Sequence, residues 1–227
     1  MHLTDATWPD VDGAPVLCIP VGSCEQHGPH LPMATDTIIA EALAAGLAAR
    51  RPFTLVGPSL TVTASGEHAG FPGTLSIGTE ATAMVITELV RSADWAAGVV
   101  LVNGHGGNRE AVERARPTLD HDGRRVLSWW PRIPGGDAHA GRTETSLMLA
   151  VRPGLVRLDR AERGTTAPLR SIADSLRVSG VRAVAPNGVI GDPAGASAAE
   201  GTDLLRRLGD DLAEAVVDWL APTAASR

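Results

Sequence analysis

Five side chains scattered along the chain, Glu25, His27, Asp36, His105 and Glu144, are carboxylates and imidazoles, the donor types that hold divalent cations such as Zn, Mn or Fe(II). Five such donors are too many for one catalytic zinc with an open position. They suit two ions roughly 3.5 to 4 Å apart that share a carboxylate. Each donor also has a plainer reading. Asp36 precedes a helical segment and would serve as its N-cap. Glu144, in the first turn of another helix, complements the macrodipole. His27 and His105 would be loop residues satisfied by backbone carbonyls. Glu25 is the hardest to explain away, because a carboxylate beside an apolar strand end is costly to bury unless something positive pairs with it. Outside the ligand set, His68 is a candidate for substrate binding. His139, just before Glu144 in one loop, is a candidate for proton transfer, and Glu144 is counted among the catalytic residues as well as the ligands.

Two other chemistries compete. Cys24 near His27 would make a nucleophilic dyad if the two side chains met, but nothing in the sequence brings them together, and a packed thiol is the stronger reading. The glycine-rich run Asn103-Gly-His-Gly-Gly-Asn108 would cradle a phosphate at a helix start. It matches neither GxGxxG nor GxxxxGK[ST] in register, and the chain has no lysine. A non-catalytic phosphate or nucleotide module therefore stands as the alternative from another class, with the glycines better read as room for a histidine to reach inward.

These residues need a frame. Pro15 to Val21 is a continuous apolar run, as expected of a strand buried on both faces, and Phe53 to Gly57, Gly98 to Val102 and Val126 to Trp130 repeat the pattern. Helical spacing is read at Thr37 to Leu47, from near Thr79, at Arg109 to about His121, at Thr143 to about Val151 and at Ala198 to Leu220. Strands alternating with helices imply an α/β fold with a parallel or mostly parallel sheet covered on both faces. The loops leaving the carboxyl ends of such strands gather at one edge, where ligands bind. The loops Glu25 to His30, Asn103 to Asn108 and Asp137 to Glu144 should therefore share one cleft. The His-bearing loop Ser65 to Gly73 and the Pro/Gly-rich segment Pro186 to Gly201 would form its walls. The chain reads as a single domain over residues 1–227, with a frayed tail after Leu220.

Composition narrows the function classes. With 227 residues, 44% apolar and 20% charged, the chain can bury a core without a metal or disulfide to hold it together, so a metal would need a chemical reason. The formal charge of −6 argues against nucleic acid or an anionic membrane as partner. Two phenylalanines, five tryptophans and no tyrosine make a base-stacking platform improbable. Two cysteines without a CxxC suggest a reducing compartment. With no signal-peptide pattern and no apolar run long enough to cross a bilayer, the expected location is cytoplasmic.

Three stretches together, Pro20-Val-Gly-Ser-Cys-Glu-Gln-His-Gly-Pro-His-Leu-Pro32 with Thr35-Asp36, Asn103-Gly-His-Gly-Gly-Asn108 and His139-Ala-Gly-Arg-Thr-Glu-Thr-Ser146, resemble the creatininase family, in order, from about Val16 to Gly201. The resemblance implies a three-layer α/β/α domain, a dinuclear metal centre of Zn and/or Fe(II), with Mn possible, amide-bond hydrolysis and a homo-oligomer, often a hexamer. Carried onto this chain, it makes Asp36 the bridging ligand, Glu25 and His105 partners on one ion and His27 a ligand of the other. Creatininase itself has a glutamate two positions after the histidine of its Asn-Gly-His motif, where this chain has Gly107. Glu144 would then have to complete the second position, and the departure argues against creatinine as substrate. The runs Gly22-Ser-Cys-Glu-Gln-His-Gly28, Ser65-Gly-Glu-His68, Gly135 to Gly141, Gly191-Asp-Pro193 and Ala199-Glu-Gly201 resemble the peptidase branch of that family belonging to the mycofactocin system. That branch implies a modified ribosomal precursor peptide as substrate, cut to release its crosslinked, decarboxylated C-terminal Val-Tyr pair for redox-cofactor biosynthesis. A small cyclic amide or formamide is the alternative substrate for the same centre.

Overall fold

The computed structural model describes residues 1–13 and 15–221, so the tail expected to fray lies almost wholly outside the described residues. Four strands, β1 (Val16–Val21), β2 (Thr54–Val56), β3 (Gly98–Asn103) and β4 (Val126–Trp129), form one sheet in the order β2-β1-β3-β4. Every pairing is parallel, with Val16 opposite both Thr54 and Gly98 and Val99 opposite Val126. The expected mostly parallel sheet is thus parallel throughout the described residues.

The unbroken apolar runs follow from this arrangement. On β1, Val16 and Cys18 join one core cluster while Leu17, Ile19 and Val21 join the other, so both faces of the strand need apolar side chains. One face packs on α1 (Thr35–Arg50), α4 (Arg142–Val151) and α7 (Ala198–Leu220) through Leu43, Leu47, Met148, Leu208 and Leu212. The other packs on α2 (Gly78–Ser92) and α3 (Arg109–His121) through Ile86, Val90, Val112 and Leu119. Burying each such side chain stabilises the fold by roughly 1.5 to 3 kcal/mol, which makes this three-layer core the rigid support of the loops above it.

Two features differ from the sequence reading. Helix α1 begins at Thr35, with Ala34 flanking it, so Asp36 lies inside the first turn and makes no cap. Between α4 and α7 lie α5 (Leu169–Ser179) and α6 (Val181–Val184), which were not expected. Leu169, Ile172 and Leu176 carry helical spacing, but no α5 residue is buried, so the apolar signal is thin.

Candidate metal centre

The polar loop that leaves β1 is buried as deeply as the strand: Ser23, Glu25, His27 and His30 are at most 1% exposed. Such burial requires partners for each polar group. Ser23 Oγ donates to Asp36 Oδ2 at 2.7 Å, and Thr37 Oγ1 donates to the Ser23 carbonyl at 3.0 Å, which locks the loop onto the start of α1. Freed from capping, the Asp36 carboxylate turns away from its own helix. Its Oδ1 lies 3.0 Å from His27 Nε2 and its Oδ2 3.1 Å from His105 Nδ1, so one carboxylate spans two imidazoles from separate loops.

Around this bridge the donors form two groups, linked by a third made of Glu25, His27 and His139. His27, Asp36 and Glu144 make the first, with His27 Nε2 3.9 Å from Glu144 Oε2. Glu25, His105 and Glu67 make the second, in which His105 Nε2 lies 3.2 Å from Glu25 Oε2 and 3.5 Å from Glu67 Oε1. All five donors read from the sequence are brought together. Glu67, from the turn Gly66–His68 after β2, was missed as a donor; its signals were its place in the Gly- and His-rich loop Ser65 to Gly73 and in the run Ser65-Gly-Glu-His68.

The donor set fits divalent ions on a specific observation. Both Glu25 oxygens are fully buried and neither has a hydrogen-bond partner. Imidazole nitrogens of His105 and His68 approach them to 3.2 and 3.3 Å without hydrogen-bonding geometry. A buried carboxylate so placed is stabilised by a cation, in the way metal-bound carboxylates are. His27 has the supporting shell of a metal-ligating histidine, since its Nδ1–H donates to the Glu25 backbone carbonyl at 3.1 Å and leaves Nε2 to face the carboxylates.

The electrostatics follow the same division. Burial works against the charged form of His27, but Asp36, with Glu144 and Glu25 further out, outweighs it and raises the imidazole to about 10. His105 is also raised well above the ordinary histidine value, its burial overcome by Glu25 and Asp36. Asp36 is held well below the usual carboxylate range by those two imidazoles despite its burial. Burial raises Glu67 and Glu144, against the pull of His105 on the first and His27 on the second. Burial lowers His68 to about 4, helped by His105 and opposed by Glu25, and takes His139 well below its ordinary value.

The neutral pair His68 and His139 is organised by Gln26, a residue the sequence reading did not single out. His139 Nε2–H donates to the Gln26 backbone carbonyl at 2.9 Å, so its Nδ1 is unprotonated and lies 4.0 Å from Glu25 Oε1. The Gln26 amide donates to His68 Nδ1 at 2.9 Å, which places the His68 proton on Nε2. His139 and Glu144 face the same centre because the chain turns sharply at Ala140, whose φ is +52°, in the left-handed region. The Ala140 N–H donates to Glu144 Oε2 at 2.6 Å, so Glu144 interacts with its helix start and faces the centre at once. Asp137 holds this turn, accepting from the N–H groups of Arg142, Thr143 and Asp192 and from Thr143 Oγ1.

The competing chemistries fail on geometry. Cys24 Sγ faces the Gly73 carbonyl at 3.9 Å, while His27 is committed to Glu25 and Asp36. In the Asn103 to Asn108 turn, the N–H groups of Gly104, His105, Asn108 and Arg109 donate to Val21, Asn103, His105 and Gly106, so four of the amides a phosphate would need are already committed within the protein. Gly104 is required by contact rather than by a ligand, since a Cβ there would fall 2.5 Å from the Asp36 carbonyl oxygen.

Two openings meet at the centre. A cavity of about 350 Å³ is lined by Asp36, His105, Trp130, His139 and Glu144, and a cleft of about 940 Å³ runs outward past Glu25, Glu67, His68 and His139. Arg109 borders both and stacks over Trp130 at 5.3 Å. The loop Ser65 to Gly73 does line the cleft. Its other wall is chiefly α5 and α6, with Ile190 alone from the segment Pro186 to Gly201.

Residues 4–216 match the family model for creatininase, described as creatinine amidohydrolase. The chain is 46% identical over 218 residues to the mycofactocin precursor peptide peptidase of Mycobacterium tuberculosis, covering 91% of this chain and 86% of that protein. It is 30% identical to the creatinine amidohydrolase of Pseudomonas putida over 255 aligned positions, 96% of this chain and 97% of the other. Among solved structures, one titled "Creatininase Mn" superposes with a TM-score of 0.78 at 29% identity, covering 97% of this chain and 99% of that one.

Proposed function

The chain belongs to the creatininase family, and from that premise we propose that it is a metal-dependent peptidase that cuts an amide bond of the mycofactocin precursor peptide. The carrying observation is the pair of buried donor groups joined by Asp36, with the unpartnered Glu25 carboxylate between imidazoles. Glu25, His27, Asp36, His105 and Glu144 would hold two divalent ions, Zn and/or Fe(II), with Mn a further candidate. When bound, such ions supply Lewis acidity, which polarises an amide carbonyl and brings the pKa of water toward about 7.

The protein's own groups perform the remaining steps. Ser23 and the Glu25 carbonyl hold Asp36 and His27 in orientation, so the donors are in place before substrate arrives. Neutral His139, with Nδ1 free and directed at the centre, accepts a proton from water and returns it to the leaving nitrogen. His68, bordering the outer cleft, contacts the substrate. The open cleft accommodates a peptide end and its tail, whereas a creatinine-like ring calls for a small closed pocket. The product of this reading is the crosslinked, decarboxylated C-terminal Val-Tyr pair. A homo-oligomer, in the hexameric pattern, belongs to it as well, supported by the exposed apolar side chains Leu75, Ile77, Met84 and Leu89 along and before α2. A cytoplasmic location is part of the same proposal, and no described helix is long and apolar enough to cross a membrane.

The test is incubation of metal-loaded protein with the modified precursor, the unmodified precursor and creatinine, followed by mass spectrometry. Release of the Val-Tyr fragment from the modified peptide alone is the expected result. Turnover of creatinine alone would place the protein with the small-amide hydrolases of its family instead.

A further inference from the structure

Gly107 and Glu67 fit one another across the centre. A Cβ at position 107 would fall 2.2 Å from Glu67 Oε1, 2.4 Å from His105 Nε2 and 2.6 Å from the Ala64 carbonyl oxygen. Those separations are below van der Waals contact, so a side chain at 107 and the Glu67 carboxylate cannot both occupy this space. The absence of a Cβ opens the volume into which Glu67 reaches.

The turn that carries Glu67 is held in place by Asn108, by Ser76 and by its own backbone. Asn108 Oδ1 accepts from the Ala64 N–H at 3.2 Å, Ser76 Oγ accepts from the Ser65 N–H at 2.9 Å, and the His68 N–H donates to the Ser65 carbonyl at 3.1 Å. The carboxylate therefore arrives on an anchored support, with its side chain 32% exposed, at the boundary between the buried donors and the outer cleft.

Donor spacing identifies what it does there. Two donors each about 2.1 Å from one ion at the tetrahedral angle lie about 3.4 Å apart. Glu25 Oε2 and Glu67 Oε1 stand 3.2 and 3.5 Å from His105 Nε2, the edge lengths of such a site. The Glu25 oxygens are buried without hydrogen-bond partners, which is the independent sign that a cation belongs among these groups. His105 Nε2–H now donates to the Ala64 carbonyl at 2.8 Å, and that proton is the one an ion would displace.

We propose that Glu67 is the third protein ligand of the ion held by Glu25 and His105, admitted by the glycine at 107. The proposal rests on the metal-centre reading above and is independent of the substrate. It makes the outer half of the centre Glu25, His105 and Glu67 and the inner half His27, Asp36 and Glu144, with Asp36 meeting the outer half at His105 Nδ1, the ring nitrogen away from Glu25 and Glu67. The ligand on the cleft side is then the least buried of the set and the one an incoming substrate meets first.

The experiment compares wild-type protein with Glu67→Gln and Glu67→Asp, loaded with cobalt(II). Chelator competition gives the affinity of each site, and visible absorption at saturating cobalt reports the coordination sphere. Glu67→Gln should weaken one of two sites by at least about tenfold, leave the other unchanged and alter the absorption of the weakened site; Glu67→Asp should restore part of both. Far-UV circular dichroism on the same samples confirms the fold. Unchanged affinities overturn the proposal, and so does a weaker site whose saturated spectrum matches the wild type, because Glu67 would then act only through its neighbours. Wild-type protein that takes up no cobalt would refute the metal-centre reading itself, a different failure from wild-type uptake that Glu67→Gln leaves untouched.

Discussion

Replacing Glu25 by glutamine separates a metal ligand from a structural ion pair, because the two roles predict different free energies. In the metal-free protein the Glu25 oxygens make no hydrogen bonds, so the amide of Glu25→Gln breaks none. His105 loses one of the two carboxylates that raise it, but an imidazole can release its proton, so no uncompensated charge is left buried. A structural pair would behave otherwise, since an uncompensated buried charge costs about 3 to 5 kcal/mol. The sign with pH is also determined. His105 is raised in the folded state, so its contribution to stability is fully present below about pH 6.5 and is lost as pH rises through its folded value. The cost of the substitution should accordingly shrink toward alkaline pH. Metal reverses the picture. One ion at a hundred times its dissociation constant adds about 2.7 kcal/mol, and at about 2 to 4 °C per kcal/mol for a chain of this size each ion raises the melting temperature by about 5 to 11 °C. Glu25→Gln should keep the metal-free melting temperature within a few degrees of wild type and lose about half of the metal-induced increment. Calorimetric melting with and without metal, at pH 6 and pH 8, measures both. An increment equal to wild type, or a metal-free loss of about 3 to 5 kcal/mol, would refute the ligand assignment.

Three further expectations follow from the geometry. Because His27, at about 10, and His105 are raised, they must release protons to bind an ion, so metal-induced stabilisation should grow from pH 6 to pH 9; a calorimetric binding enthalpy identical in buffers of different ionisation enthalpy would contradict this. Asp137→Ala removes the acceptor of four hydrogen bonds, three at the start of α4 and one from the Asp192 N–H, and should cost about 1 to 3 kcal/mol in urea unfolding, with activity falling because Glu144 rides on that turn. Gly201→Ala places a Cβ 1.9 Å from the Ser146 carbonyl oxygen where α7 crosses α4, so about 1 to 3 kcal/mol of stability should be lost, measured the same way, with metal stoichiometry unchanged.

The sequence by itself determined the fold class and most of the donor set. Continuous apolar runs at β1 and β3 are what a strand buried on both faces requires, and they alternate with amphipathic helices, so a layered parallel sheet follows from pattern alone. Glu25, His27, Asp36, His105 and Glu144 were legible because they sit on loops or in the first turns of helices that such a sheet must gather at one edge. What side chains do at that edge is decided by distances between residues far apart in the chain, and spacing carries no information about those. Asp36 could not be told from a helix cap until α1 was seen to begin two residues earlier, at Thr35, with Ser23 drawing its carboxylate inward. Gln26 is an ordinary polar residue in sequence and the organiser of two histidines in space. Glu67 lies on the loop after an edge strand, 38 positions before His105 in the sequence, and only the parallel register of β2, β1 and β3 sets it beside that imidazole, in the space that Gly107 leaves open.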